Sequence, residues 1–179
     1  MIAVLLADGF EEMEALVPLD MLRRAGLDAR LVGISGRIVV GSHGIAVVCD
    51  LSSDEVDPET ISLVIFPGGM PGSLNLDQAE FTDTVIESVV RRGGRLAAIC
   101  AAPLVLGHRG LLDGRRATCY PGFEKELLGA TVTDAGVVTD GNITTARGAS
   151  VALAFAKELI TLISGKEKAD EPSAGIMEE

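Results

Sequence analysis

Arg95-Leu96-Ala97-Ala98-Ile99-Cys100-Ala101-Ala102-Pro103-Leu104-Val105-Leu106-Gly107-His108 is the stretch that decides the fold. Arg95 to Ile99 follows Gly93-Gly94, and an apolar run bounded by turn residues reads as a strand buried in a parallel sheet. An apolar helical stretch begins almost at once, at Pro103, so the chain passes from strand to helix through a sharp turn at Cys100. In an open α/β sheet such a turn lies at the carboxyl edge of the strands, where ligands bind. That location suits a nucleophile. The start of a helix favours the thiolate, and the amides of the turn can hold an oxyanion on a substrate carbonyl. A small buried hydrophobe is the other reading of a Cys flanked by Ala98, Ile99, Ala101 and Ala102.

Working outward, the strand-to-helix pattern recurs. Ile2 to Ala7 is an apolar run that ends at Asp8-Gly9. From Glu11, the positions Met13, Leu16, Val17, Leu19, Met21 and Leu22 repeat at helical spacing until Arg23, Arg24 and Gly26 close the segment. Pro18 falls inside this helix and is expected to bend it. Ala29 to Ile34 is a second strand, and Gly36, Gly41 and Gly44 punctuate Ile38-Val39-Val40 and Ile45-Ala46-Val47-Val48 as a hairpin. Ile61 to Phe66 is a strand that ends in Pro67-Gly68-Gly69-Met70-Pro71-Gly72, which reads as loop throughout. A helix over 81–92, short strands near 116–118, 130–132, 136–139 and 143–145, and a last helix over 149–163 complete an alternating α/β order. Beyond Gly165 the chain is acidic and has little to bury, and Pro172 is expected to interrupt any helix. The expected organisation is a single domain over 1–164 and a mobile acidic tail over 165–179.

The 179 residues carry 15 Lys and Arg against 26 Asp and Glu, a formal charge of −11, which opposes binding to phosphate backbones or anionic membrane surfaces. Apolar residues make up 47% of the chain, yet no uninterrupted run approaches the roughly 18 needed to span a bilayer. No basic region precedes the apolar start, so Met1 to Asp8 reads as a strand rather than a signal peptide. Cys49, Cys100 and Cys119 are odd in number and far apart, and with only His43 and His108 beside them they form neither a disulfide framework nor a zinc spacing. A cytoplasmic protein without metal is the expectation. Gly68-Gly69-x-x-Gly72 lacks the G-x-G-x-x-G spacing of a dinucleotide site, and no nucleotide cofactor is expected.

Glu14 lies on the first helix and can reach the same sheet edge as Cys100, where a carboxyl beside a thiol acts as general acid and base. Its neighbours Glu11 and Glu12 read as solvated first-turn acids. The backbone at Gly68 and Gly69 can approach a ligand closely, and an amide there can complete an oxyanion hole with that of Ala101; an ordinary strand-to-helix loop is the plainer account.

Four segments in order, Asp8-Gly9-Phe10-Glu11-Glu12-Met13-Glu14, Phe66-Pro67-Gly68-Gly69, Ala97-Ala98-Ile99-Cys100-Ala101-Ala102-Pro103 and Thr145-Ala146-Arg147-Gly148, resemble the ThiJ/PfpI superfamily. Within it they are most similar to the branch of the parkinsonism-associated deglycase and its bacterial ThiJ-like relatives. The resemblance runs from Met1 to about Ile163. It implies a flavodoxin-like three-layer sandwich, a homodimer, a reactive cysteine at a nucleophile elbow matching Cys100, and a partner glutamate matching Glu14. Relatives of peptidase type place a histidine directly after the cysteine, where this chain has Ala101, so peptidase activity is not expected. Tyr120 stands where the deglycase branch often has histidine, and it either donates a hydrogen bond or packs. Arg147 matches the family arginine, although Gly148-Ala149-Ser150 replaces the usual Gly-Pro-Gly after it. His43 resembles a bacterial variant of the hairpin and either borders a site near the dimer partner or is a solvated turn residue.

The resemblance implies a small aldehyde substrate, such as methylglyoxal or an early glycation adduct, processed without glutathione by Cys100 with Glu14 as proton carrier. The alternative use of the same pair is an oxidative-stress sensor or redox-regulated chaperone in which Cys100 becomes a sulfinate.

Overall fold

In the computed structural model, which describes residues 1–177, apolar runs become strands and amphipathic segments helices. The order is β1 (Ile2–Leu6), α1 (Glu12–Arg24), β2 (Ala29–Gly33), β3 (Ile38–Val40), β4 (Ala46–Val48), β5 (Leu51–Ser52), β6 (Leu63–Phe66), α2 (Gly72–Asp77), α3 (Glu80–Arg91), β7 (Arg95–Ile99), α4 (Pro103–His108), β8 (Arg116–Ala117), β9 (Thr131–Val132), β10 (Val137–Asp140), β11 (Ile143–Ala146), α5 (Ala152–Ser164) and α6 (Lys166–Gly175). The main sheet has seven strands in the order β10-β11-β7-β6-β1-β2-β5, all parallel except β10. β3 and β4 pair separately as the anticipated hairpin. This is the flavodoxin-like arrangement.

Strand alternation divides the core into two layers. Ile2, Val4 and Leu6 of β1, Leu63 and Ile65 of β6, and Ala97 and Ile99 of β7 pack with Ala15, Leu19 and Leu22 of α1 and Phe155 and Leu159 of α5. Ala3 and Leu5, Val64 and Phe66, and Leu96 and Ala98 point the other way, against Val85 and Val89 of α3 and Leu104 to Leu106 of α4. The near-continuous apolar strands in the sequence reflect this two-sided burial.

Two expectations are corrected. The loop after β6 ends at Pro71: Gly72 opens α2, whose hydrogen bonds begin inside the loop with Ser73 N donating to Gly69 O (2.9 Å) and Asn75 N to Pro71 O (2.9 Å). The segment after Gly165 is helical rather than a mobile tail, and α6 runs through Pro172. Burial outweighs the hydrogen bond that proline removes: Ala169, Pro172 and Ser173 are all buried, and the helix packs on α5 and α1. Lys166–Asp170 and Lys168–Glu171 pairs line its outer side. Glu178 and Glu179, also assigned to that tail, lie outside the described residues. Among the described residues no helix is long and apolar enough to cross a membrane.

His108, the last residue of α4, ties two other elements together. Its Nδ1 lies 2.8 Å from Asp77 Oδ2 at the end of α2, and its Nε2 lies 2.9 Å from Glu126 Oε2 in the 3-10 turn Glu124–Glu126. A neutral imidazole has one N–H, so only the imidazolium donates to both carboxylates. Glu126 and then Asp77 hold its pKa above the ordinary value, while Arg109 pairs with Asp77 and Asp83 alongside. A raised cationic pKa gives stability that is fully present below the unfolded value of about 6.5 and is lost as pH rises through the folded value. The Tm is therefore expected to fall as pH rises above about 6.5 by a component that His108→Gln lacks. Parallel Tm–pH curves for the two proteins would rule the clamp out.

Candidate active site

Strand alternation alone would send the side chain after Ile99 toward α3 and α4. Cys100 instead has φ 65°, a left-handed conformation, and its side chain packs against the opposite layer, that of α1. For an L-residue this costs on the order of 1–3 kcal/mol. Three hydrogen bonds hold the turn: Cys100 N to Ala146 O (2.9 Å), Ala102 N to Ile99 O (3.1 Å) and Tyr120 N to Cys100 O (2.8 Å). Parallel β7 and β11 thus fix the elbow from one side and the segment after β8 from the other.

Glu14 comes from the first turns of α1 and is 1% exposed. Gly68 N donates to its Oε2 at 2.9 Å, while the buried Oε1 has no hydrogen-bond partner. Burial pushes the carboxyl up to about 7, against the lowering influence of Cys100 and the Gly68 amide. Gly68 separates the two reactive groups: a Cβ there would lie 2.5 Å from Glu14 Oε2 and 2.6 Å from Cys100 Cβ, so no other residue fits. Gly69, at φ +89°, is equally constrained by Glu11 N and Gly9 O.

The Cys100 thiol is pushed up to about 12, first by burial and then by the Glu14 carboxylate, with the amides of Ala101 and Gly69 pulling it down. The expected thiolate at a helix start is therefore corrected. α4 is a helix of only six residues, and the two amides do not outweigh burial beside a carboxylate. The amides of Ala101 and Gly69 favour the thiolate form of Cys100. Burial thus disfavours the charged form of both groups, the thiolate and the carboxylate.

The remaining candidates surround this pair unevenly. Tyr120 joins the elbow through its backbone, and its side chain is half exposed. Arg147 follows β11, with Nη1 donating to Asp134 O (3.0 Å). His43 sits at the tip of the β3–β4 hairpin and takes part in no contact with Cys100; its Nδ1 lies 2.8 Å from Glu12 Oε2 and its amide donates to Glu12 Oε1 (2.9 Å). Glu12 is thus no solvated acid. It is 5% exposed and anchors the hairpin, with Gly41 pressed against it. Its signal in the sequence was the glycine opposite, which shows its purpose only once the hairpin is folded. Among the described residues, Glu11, Glu12 and His43 are the group whose ligand atoms approach within 4.8 Å of one another. Cys49 and Cys119 are buried, and burial pushes both thiols up to about 11.

Comparison with known proteins gives this arrangement a family. The DJ-1/PfpI family model matches residues 1–162. The chain is 36% identical to protein dj-1beta of Drosophila melanogaster over 177 residues, covering 97% of this chain and 95% of that one. It is 31% identical to a deglycase of Pyrococcus abyssi over 165 residues, covering 90% and 98%. The solved structure of oxidized Toxoplasma gondii DJ-1 superposes with a TM-score of 0.93 at 32% identity, covering 98% of this chain and 97% of the other. With the elbow, the buried glutamate and the glycine between them in one continuous match, this chain belongs to the DJ-1/PfpI family.

Proposed function

We propose that this protein is a cysteine-dependent, glutathione-independent enzyme of glyoxalase or deglycase type, acting on methylglyoxal and related α-oxoaldehydes or on early glycation adducts. The observation that carries the reading is the Glu14 carboxyl, buried beside Cys100, titrating near 7 and left with one unpartnered oxygen. A buried acceptor without a partner is costly unless a bound molecule satisfies it. The archaeal relatives named deglycase support an enzymatic role in the family.

Glu14 as carboxylate accepts the thiol proton while Cys100 Sγ bonds to the aldehyde carbon, and it returns that proton to the carbonyl oxygen, giving a hemithioacetal. The Gly69 and Ala101 amides steady the charge on sulfur and oxygen during this step. Glu14 then removes the proton on the same carbon, the hydroxyl proton of that carbon passes to the neighbouring oxygen through an enediol, and delivery of the first proton to the neighbouring carbon leaves the thioester of a 2-hydroxy acid. Water cleaves that thioester and restores the thiol. One carbon is oxidised as its neighbour is reduced, so no external redox partner enters.

A second reading uses the same pair in oxidative-stress sensing or a redox-regulated chaperone. The oxidized state of the Toxoplasma relative favours it: Cys100 as sulfinate would accept a hydrogen bond from neutral Glu14. Lactate formation from methylglyoxal without glutathione, absent in Cys100→Ser, separates the two, since a sensor consumes a negligible amount of aldehyde.

We also propose a homodimer of this chain. Leu19 is used up inside its own core, but Leu16, Val17, Leu153 and Ile176 border an apolar groove, and Ile38, Ile45 and Val48 of the hairpin are exposed. Light scattering at micromolar concentration is expected to give twice the chain mass; a monomer mass would overturn the proposal.

Glu14→Gln keeps the shape but exchanges no proton, so methylglyoxal turnover is expected to fall by roughly 10² to 10⁴. Iodoacetamide alkylation of Cys100 is expected to persist, because the substitution also removes the carboxylate charge that opposes the thiolate. Turnover within about twofold of wild type would end the acid/base role. Because the carboxylate form starts the reaction, kcat/KM is expected to rise with pH through about 7, and that rise is expected to be missing from Glu14→Gln. An unchanged pH profile in the variant would assign the limb to another group.

A further inference from the structure

A recess of about 310 Å³ opens beside the Cys100 elbow, lined by Tyr120, Pro121, Arg147, Gly148, Ala149 and Ser150. Both of its walls are tied to that elbow. On one wall, the Tyr120 amide donates to the Cys100 carbonyl at 2.8 Å. The other, from Arg147 to Ser150, continues directly from Ala146, whose carbonyl accepts from the Cys100 amide at 2.9 Å.

The lining describes what the recess takes. It is mostly apolar, and its largest element is the half-exposed Tyr120 side chain. Gly148 lies against that ring, where a Cβ would make ordinary van der Waals contact with ring Cδ2 at 3.5 Å. Arg147 carries the positive charge of the lining, and its guanidinium meets the Asp134 carbonyl and the fully exposed Asp134 carboxylate. A flat ring bound here stacks on Tyr120 and meets the guanidinium of Arg147, both of which favour an aromatic partner. A methyl group fills little of such a space, since one water occupies about 30 Å³.

We propose that this recess is a substituent subsite that selects α-oxoaldehydes carrying an aryl group, with Tyr120 as the specificity-determining residue. The inference rests on the enzymatic reading above for its chemistry. With phenylglyoxal the steps are the same: the Cys100 S–C bond forms at the aldehyde carbon, the proton on that carbon passes through Glu14 to the ketone carbon, and water cleaves the thioester to release mandelate. The phenyl group occupies the recess throughout, and no other reactant is needed.

The test compares kcat/KM for phenylglyoxal and methylglyoxal, read as mandelate and lactate, in wild type, Tyr120→Phe and Tyr120→Ala. Wild type is expected to prefer phenylglyoxal by about tenfold, the scale of one aromatic stacking contact. Tyr120→Phe keeps the ring and is expected to keep that ratio; Tyr120→Ala is expected to bring it to about unity. The ring is half exposed, so neither change disturbs the core. A ratio unmoved by Tyr120→Ala overturns the subsite. A second measurement needs no turnover: mandelate, but not lactate, is expected to slow iodoacetamide labelling of Cys100, and Tyr120→Ala is expected to abolish that protection. Protection without turnover of either aldehyde keeps the subsite and removes the enzymatic reading. Turnover of both aldehydes without a preference and without protection removes the subsite alone.

Discussion

A single backbone conformation governs the site. Cys100 adopts the left-handed region at the point where β7 becomes α4, and this turns its side chain through the plane of the sheet from one core layer to the other. Glu14 stands on that second layer because α1 packs there. Were Cys100 to relax to an ordinary strand conformation, thiol and carboxyl would lie on opposite sides of the sheet. The hydrogen bonds from Cys100, Ala102 and Tyr120 hold the strained turn in place.

Burial then sets the chemistry. The low-dielectric surroundings that raise the Glu14 carboxyl to about 7 also raise the Cys100 thiol to about 12. Two such groups in contact share their protons as a pair rather than titrating independently. A strongly nucleophilic resting thiolate is not required if its proton has a carboxylate to go to as the carbon–sulfur bond forms. Gly68 sets the separation, since it leaves room for both groups and supplies the amide that orients the carboxyl.

The α/β order and the elbow were legible because each rests on a local pattern, whereas the pairing of Glu14 with Cys100 came from the resemblance of four segments to a known family. Ile2 to Ala7 and Leu96 to Ile99 are apolar on both faces, and Cys100 stands between a strand and a helix. What escaped depends on partners distant in the chain. α2 begins with hydrogen bonds to a loop that reads as glycine and proline. α6 runs through Pro172 because α5 and α1 bury Ala169 beneath it, which local propensity does not record. Glu12 reads as a surface acid until the hairpin from Ile38 to Val48 folds over it. The thiol's raised pKa likewise follows from tertiary burial, whereas the sequence displayed only the helix start.

The two-layer core acts as a partition. Because the elbow sends Cys100 to the α1 and α5 side, packing around Phe155, Ala15 and Ile99 bears directly on the distance between thiol and carboxyl. The layer built from Val85, Val89 and Leu104 to Leu106 lies behind the sheet and touches neither reactive group. Cavity-making or volume-changing substitutions propagate mainly through the atoms they abut. Drift or engineering in the α3 and α4 layer can thus alter how firmly the domain is held without retuning its chemistry, whereas equal changes in the other layer act on stability and reactivity together.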